Sequence, residues 1–592
     1  MLDNEELYTI LNNLESENKD IINALHSIEN NPDFRIEANL QTFILLRKIS
    51  KLGESFENGS PKFEPMLKLS DGRRSFSVDD MSDTDFDMLS EIDLQRLPVQ
   101  LGILVADLLW FKRKDIDAVH FSIESYYNLY QSTFDYENWV ESFEYIKRAI
   151  TLSQKLNDNT SRNKFLKDVF VKLIRGNGAD KNYFSIVVAE FLVEQKWHDL
   201  NPILLVMDNI INTQSDVRKS ERAFDIKRNI FKSLKDDKSV QNNDCKHAEY
   251  LEQQANNYLN SGFLGLIQAE THIKKAIILY RNGKNKEAAE EAHKKLLLVQ
   301  SRKEKEMPIL CENIDVTNLY NHTKELFDGL TFEEHIVLIA YIFKFFSKEE
   351  IKDSIYDPSL FISKRYFGKQ IFDKNGRTIC EISTLEDNPT PEEEETHMFF
   401  DLFQKVSLLG STSLKWEVQW LNERFDYSEK DLEFIVKDNC IVPDGRKRIF
   451  QKAIYCGLKG DMYTALHILA PQVENLFRNL AIKCGSNMST INTHGIAEDK
   501  LLSSVFDDAS LNECYDENII FTFKELMNEK AGGNFRNRIA HGIMDECECN
   551  DGAALYFLCA TIKLLSLTSH YAKDVLCNYF LKRTNTKDGQ EN

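Results

Sequence analysis

The chain has 592 residues, 42% of them hydrophobic, and its 94 acidic against 73 basic side chains give a net charge of -21 at pH 7. At about 150 residues per domain, that length implies three or four domains or one long helical array, and burying a core is no obstacle. The acidity excludes a surface that is basic throughout, as a general nucleic-acid coat requires, while 23 Gly and 11 Pro against 38 Phe and 21 Tyr exclude both a disordered chain and a turn-rich β-sandwich.

Apolar residues at three- and four-residue spacing predict helices over 5–17 and 34–52. The stretch 53–82 loses that period and gathers Gly, Ser, Asp and Pro, which predicts a long mobile loop. From 97 to 157 the helical pattern returns in LPVQLGILVADLLWFKRK and ENWVESFEYIKRAITLSQKL, and HDLNPILLVMDNII continues it. Further on, Ala255, Tyr258, Ala269, Ala276 and Tyr280 alternate small and aromatic side chains on a helical face. Asn282-Gly283 then supplies a turn before a second Ala-rich helix. Such alternation suits helical hairpins packed closely, although no fixed repeat period is present.

One β element is predicted. RYFGKQIFDKNGRTICEIS places two β-prone runs around Lys374-Asn375-Gly376, the pattern of a small hairpin. Thr390-Pro391 and four glutamates then supply an N-cap, a proline for the first helical position and acids for the first turn. The expected organisation is an N-terminal helical domain over 1–240, a helical-hairpin middle region over 241–360, the hairpin and a linker over 361–395, and a C-terminal helical region over 396–592.

In that last region VPDGRKRIFQKAIYCGLKGDMYTALHILAPQVENLFRNLAIKCG reads as two helices. The second begins near Asp461 and carries Ala465, Leu469, Val473, Leu476 and Leu480 on one stripe. A looser stretch, 486–515, precedes ENIIFTFKELMNEKAGG, a helix closed by glycines, then NFRNRIAHGIMD and the long apolar GAALYFLCATIKLLSLTSHYAKDVL. The apolar run 553–567 contains Lys563 and falls short of the roughly 20 residues a membrane helix needs, so a buried helix without membrane contact is expected. The 11 cysteines form no pair of CxxC motifs and the N-terminus has no basic and apolar leader, which predicts reduced thiols in a cytoplasmic protein.

The chain has no GxxxxGK[ST] loop, GxGxxG turn, GxSxG elbow or HExxH helix. Cys547-Glu548-Cys549 near His541 has the wrong spacing for a zinc knuckle, so neither a metal nor a cofactor is expected. His467 is expected to pack or to lie on the surface, and His494 has no partner pattern.

What remains is Asn534-Phe535-Arg536-Asn537-Arg538-Ile539-Ala540-His541-Gly542. On an ideal helix Phe535, Ile539 and Ile543 form an apolar stripe that faces the core. Arg536, Asn537 and His541 then lie at about 100°, 200° and 240° from Phe535, with Ala540 at about 140°. A small residue flanked by three polar groups, opposite a core stripe, suits the close approach of a ligand or of a second copy of the same helix.

Arg-Asn followed by His at this interval resembles the Rx4-6H signature of HEPN domains, and the region is similar to the DUF4209 branch of that group. GRKRIFQKAIYCGLKGDMYTALHILAPQVENLFRNLA resembles that branch's opening helices, INTHGIAEDKLLSSVF its middle and GNFRNRIAHGI its most distinctive segment. The likeness covers 442–567, about a fifth of the chain.

The resemblance implies a metal-independent endoribonuclease, built as a helical bundle that dimerises so that two RxxxxH motifs share one cleft. It assigns catalysis to Arg536 and His541, with Asn537 beside the arginine. Arg538, and Glu474 on the opening helix within reach of Arg536 or Arg538, are the candidate substrate-binding residues. The chemistry needs no metal: an imidazole exchanges protons near neutrality, and a guanidinium offers planar donors to a phosphate. Attack by the RNA's own 2'-hydroxyl implies RNA as substrate and partner. The angle between Arg536 and His541 favours a homodimer through the helix around Ala540. The N-terminal array would then bind a regulatory protein partner or recognise a trigger, and the resemblance places such proteins in prokaryotic defence or toxin systems. The rival expectation is a non-catalytic helical scaffold whose C-terminal bundle only dimerises.

Charge is unevenly divided. Residues 441–592 hold 17 basic and 19 acidic side chains, a net of -2, which leaves -19 to the first 440. Within the bundle GRKRIFQK, Arg536 and Arg538 are locally basic, as contact with a phosphate requires.

Overall fold

The computed structural model describes residues 5–588 apart from 19–20, 28–39, 58–59, 66, 68–72, 214–215, 309–312, 344, 387 and 492–495. The fold is mainly α, and it divides into two compact units, Met1–Val299 and Gln300–Asn592.

The first unit is a series of helices whose cores follow one another along the chain. One core runs from Leu7 to Ala118, a second from Ile103 to Ile230 and a third from Ala248 to Val299. Each helix hands its apolar face to its neighbours in sequence, as in an array. The helices Glu5–Asn18 and Leu40–Ile49 fall where the periodicity puts them, although 34–39 lie outside the described residues. The tightest pairing joins Asp237–Tyr258 to Gly262–Asn282. Small residues allow it: Ala248, Ala255, Ala269 and Ala276 are fully buried, and a Cβ on Gly265 would lie 2.4 Å from the Tyr258 carbonyl oxygen. Two ion pairs are sealed inside the unit, Arg148 with Asp107 at 3.0 Å and Lys219 with Asp180 at 3.1 Å.

The stretch 53–82 is not the long loop that its composition suggests. Strands Leu52–Glu57 and Ser60–Pro65 pair antiparallel from Leu52↔Pro65 to Glu57↔Ser60. The residues between them in sequence are Asn58-Gly59, the strongest two-residue hairpin signal, set among the Gly, Ser and Pro that read as linker. Phe63 anchors the hairpin, buried edge-on against Phe111 with ring centroids 5.5 Å apart.

The second unit has a single core, extending from Phe327 to Tyr579. At its centre lies Gly552–Thr568, buried almost throughout and packed by Phe332–Ile342, Pro391–Leu409 and Met462–Lys483. Glu546–Thr568 is the one helical stretch among the described residues long and apolar enough to cross a membrane, and 78% of its apolar window is buried within the protein. A π-turn, Gly410–Leu414, crosses the start of this helix with backbone against backbone. A Cβ on Gly410 would stand 1.8 Å from the Gly552 carbonyl oxygen, and one on Gly552 would stand 2.0 Å from that of Ser407. Only glycine fits at either position.

The same core takes in Ile336, Ile351, Ile382 and Leu385. The chain divides at 299/300, not at 240, 360 and 395, and the hairpin-and-linker stretch 361–395 contributes Ile382 and Leu385 to the second unit's core. Its hairpin, Lys369–Phe372 with Thr378–Ile382, is present. Gly376 takes a φ of +73°, and the turn spans Asp373 to Arg377, with the Asp373 carboxylate accepting from the Asn375 and Arg377 N–H groups at 2.9 Å. Thr390 caps Pro391–Leu409 in a reciprocal capping box with Glu393. A third short hairpin, Ser489–Ile491 with Ala497–Asp499, lies in the looser stretch after Met462–Lys483.

Candidate active site

The Met462–Lys483 helix starts on Asp461, which accepts from the Thr464 N–H at 3.1 Å. It buries Ala465, Leu469, Val473, Leu476 and Leu480 on the expected stripe. Glu474 lies on its other side, within reach of the Asn534-to-Gly542 segment.

That segment is held from below by Glu525, a fully buried carboxyl on the helix Glu517–Met527. Glu525 Oε1 accepts the Gly533 N–H at 2.9 Å. A Cβ on Gly532 would stand 2.4 Å from that oxygen, so the two glycines let the chain fold directly onto the acid. Burial pushes the Glu525 carboxyl well above the usual carboxylate range. Asn534 then enters a left-handed turn at φ 48° and accepts from Asn537 Nδ2 at 2.8 Å. Phe535 plugs into the core, its ring 5.5 Å from that of Phe557.

The helix is short, Phe535–Ala540. His541 caps it, Gly542 turns left-handed at φ 64°, and the Ile543 N–H returns to the Arg538 carbonyl at 2.9 Å. This glycine-terminated cap corrects the predicted three-member stripe: Ile539 packs on the core, but the helix ends before Ile543, which is 40% exposed.

Arg536 is pinned on one edge. Its Nε donates to Glu474 Oε2 at 2.8 Å and its Nη1 to Asn537 Oδ1 at 3.1 Å. The other Glu474 oxygen accepts from Arg478 Nη2 at 3.0 Å, and Arg478 Nη1 donates to the Lys500 carbonyl at 2.7 Å. Glu474 is thus one carboxylate shared by two arginines, an arrangement that orients planar guanidinium groups. Nη2 of Arg536 has no partner among the described residues, and the Arg536 side chain keeps 35% of its surface exposed. Arg538 turns elsewhere and pairs with Glu548.

His541 and Ala540 are exposed. The His541 imidazole has no hydrogen bond or ion pair among the described residues, and none joins it to Arg536. Within one chain the two candidate catalytic groups therefore stand at the two ends of one short helix, unlinked.

His467 is half-buried against the Tyr463 ring, its Nδ1 on the Tyr463 carbonyl at 2.9 Å, and His494 falls outside the described residues. Cys547 is exposed while Cys549 is buried, and no group of three His, Cys, Asp or Glu residues suited to a metal occurs among the described residues. The basic segment at 446–448 contributes Lys447 and Arg448 to an open groove of about 1010 Å³, where Lys430 and Lys437 are interleaved with Glu429, Glu433 and Asp438. Sequence reasoning missed Arg478 and Glu525. The four-residue offset of Arg478 from Glu474 marked the first, and an acid amid the apolar run IIFTFKELM marked the second.

A family model described as a domain of unknown function (DUF7380) matches residues 7–164, a stretch that holds none of these site residues. No curated protein and no solved structure matches the chain.

Proposed function

We propose that the chain is a metal-independent endoribonuclease of HEPN type, with Arg536 and His541 as its catalytic groups and Asn537 beside them. The observation that carries this reading is the pinned guanidinium. Glu474 and Asn537 hold Arg536 while its Nη2 keeps no partner among the described residues and 35% of the side chain stays exposed, at the far end of a short helix from an exposed, unpartnered imidazole. One imidazole takes the proton from the RNA 2'-hydroxyl as its oxygen bonds to phosphorus. A second imidazole protonates the departing 5'-oxygen, and guanidinium groups carry the charge that grows on the phosphate.

Two copies of the helix, related by a two-fold axis through the exposed Ala540, supply both pairs. Arg538, tied to Glu548, and Glu474, tied to two arginines, act as positioning residues in this scheme. The helical first unit would be the place where a partner protein sets the activity, and the resemblance suggests a defence setting in the cytoplasm. The rival reading, a dimerising scaffold, draws on the two intrachain partners that already occupy Arg536.

The test is purified full-length protein with total RNA in EDTA, beside Arg536→Ala and His541→Ala. Cleavage by the wild type and its loss in both variants supports the nuclease. Intact RNA throughout, or variants that cut as well as the wild type, overturns it.

A further inference from the structure

The helix Met462–Lys483 has a second face besides the one that carries the core stripe. At about 100° per residue, Tyr463, His467, Glu474 and Arg478 fall within about 60° of one another, on the side opposite Ala465, Leu469, Val473, Leu476 and Leu480. The C-terminal part of this face is taken up by the Glu474 carboxylate and its two arginines. The N-terminal part is exposed. Tyr463 keeps 55% of its surface in solvent, and its hydroxyl has no hydrogen bond among the described residues.

Tyr463 is nevertheless held. Its ring lies on the His467 imidazole, with centroids 4.2 Å apart and planes at 39°. The imidazole is fixed in turn, because its Nδ1 donates to the Tyr463 carbonyl at 2.9 Å, an oxygen that only accepts. One turn on, Pro471 is exposed and has no N–H, so the His467 carbonyl lacks the donor that residue i+4 ordinarily supplies.

An exposed aromatic ring already braced on one side by a pinned imidazole loses little freedom when a flat group lies against it. Unpaired nucleic-acid bases are such groups: every base has a π-face, and stacking on aromatic side chains is the usual way a single strand is gripped. The His467 carbonyl adds an acceptor for a base's exocyclic amino group. At about 1.5 Å of rise per residue, His467 and Tyr463 stand about 10 and 16 Å along the axis from Glu474, which holds Arg536. We propose that the Tyr463–His467 pair is a stacking subsite for an unpaired base of single-stranded RNA, a few nucleotides along the strand from the phosphate at Arg536. The substrate class rests on the nuclease reading, and the subsite narrows it to unpaired RNA, since a duplex keeps its bases stacked on one another.

The test is binding of a short labelled RNA of mixed sequence, and of its perfect duplex, to full-length His541→Ala protein in EDTA, read by fluorescence anisotropy. This parent is expected to bind the single strand more tightly than the duplex. Adding Tyr463→Ala is expected to weaken single-strand binding about five-fold or more, as loss of one stacked base does, with the slope against salt unchanged because no phosphate contact is removed. Tyr463→Phe, which keeps the ring, is expected to bind as the parent does. Equal affinity in Tyr463→Ala and its parent, a loss in Tyr463→Phe as large as in Tyr463→Ala, or a duplex bound as tightly as the single strand would each overturn the proposal, as would no binding to either. A Tyr463→Ala chain that keeps its RNA but halves its mass in light scattering would overturn it too, giving the face to a second copy. Cutting by wild-type protein is read separately: RNA held through Tyr463 but never cut supports the subsite and defeats the nuclease, whereas RNA cut by a protein whose affinity ignores Tyr463 defeats the subsite alone.

Discussion

The two units bury their apolar residues in different ways. In Met1–Val299 three cores follow the chain in order, so most contacts are between helices close in sequence. In Gln300–Asn592 one core gathers residues from Phe327 to Tyr579 around the single helix Gly552–Thr568. An array tolerates local damage and presents long surfaces, which suits recognition. A single core fixes distant residues against one another, and this lets Glu474, Glu525 and Arg536, from three separate helices, form one constellation. The candidate chemistry accordingly lies in the second unit.

This contrast can be broken or sharpened by substitution. Arg148→Ala takes the cation from the buried Asp107 carboxylate, which keeps only the Tyr126 hydroxyl at 3.0 Å among the described residues, and is expected to cost about 3–5 kcal/mol. In an array the damage stays local, so hydrogen exchange should rise over the Val99–Arg113 and Trp139–Lys155 helices while Asp237–Tyr258 keeps its protection. Equal loss at both places would show that the unit is not a series. Gly552→Ala drives a methyl group into the Ser407 carbonyl and is expected to cost on the order of 3 kcal/mol. Here protection should fall across the whole second unit, from Phe332–Ile342 to Met462–Lys483, and a purely local change would contradict a shared core.

Smaller effects come from the acids inside that core. Burial raises the Glu417 and Glu525 carboxyls well above their usual range. A carboxyl raised in the folded state stabilises fully below its unfolded pKa and loses that contribution as pH rises through the folded value. The second unit should therefore melt at a lower temperature as pH rises above the ordinary carboxylate range. Glu417→Gln, which cannot ionise, should flatten that slope, with a larger gain at pH 8 than at pH 5 by scanning calorimetry; an unchanged slope would place its carboxyl in contact with solvent. The smallest stability change is expected from Ala540→Trp, within about 0.5 kcal/mol because the position is exposed. Light scattering should nevertheless show it to be monomeric where the wild type is dimeric, and an unchanged mass would remove the two-fold cleft.

Local signals were legible in the sequence, and long-range ones were not. Thr390-Pro391 with Glu393, the stripe from Ala465 to Leu480 and Gly376 in its hairpin each act within a few residues, and each is found as read. The hairpin at 52–65 is not legible in the sequence because its Asn58-Gly59 signal is embedded in linker-like composition, and its anchor on Phe111 is non-local. Periodicity shows that an element has an apolar face but not which core receives it, so the sequence leaves Leu385 in a linker and the hairpin's Ile382 without a core, although both pack in the second unit. At the candidate site the residue types were visible, but Gly542 ends the helix early, and Arg538 pairs with Glu548 rather than Glu474, a choice that only tertiary packing makes.

The nuclease reading is tested most directly by the ends of the RNA fragments left by wild-type protein in EDTA, read by mass spectrometry. Attack by the 2'-hydroxyl with His541 and Arg536 in the cleft predicts 2',3'-cyclic phosphate and 5'-hydroxyl ends, and no cutting of the same sequence made as DNA. Fragments with 3'-hydroxyl and 5'-phosphate ends, or equal cutting of the DNA strand, would contradict it.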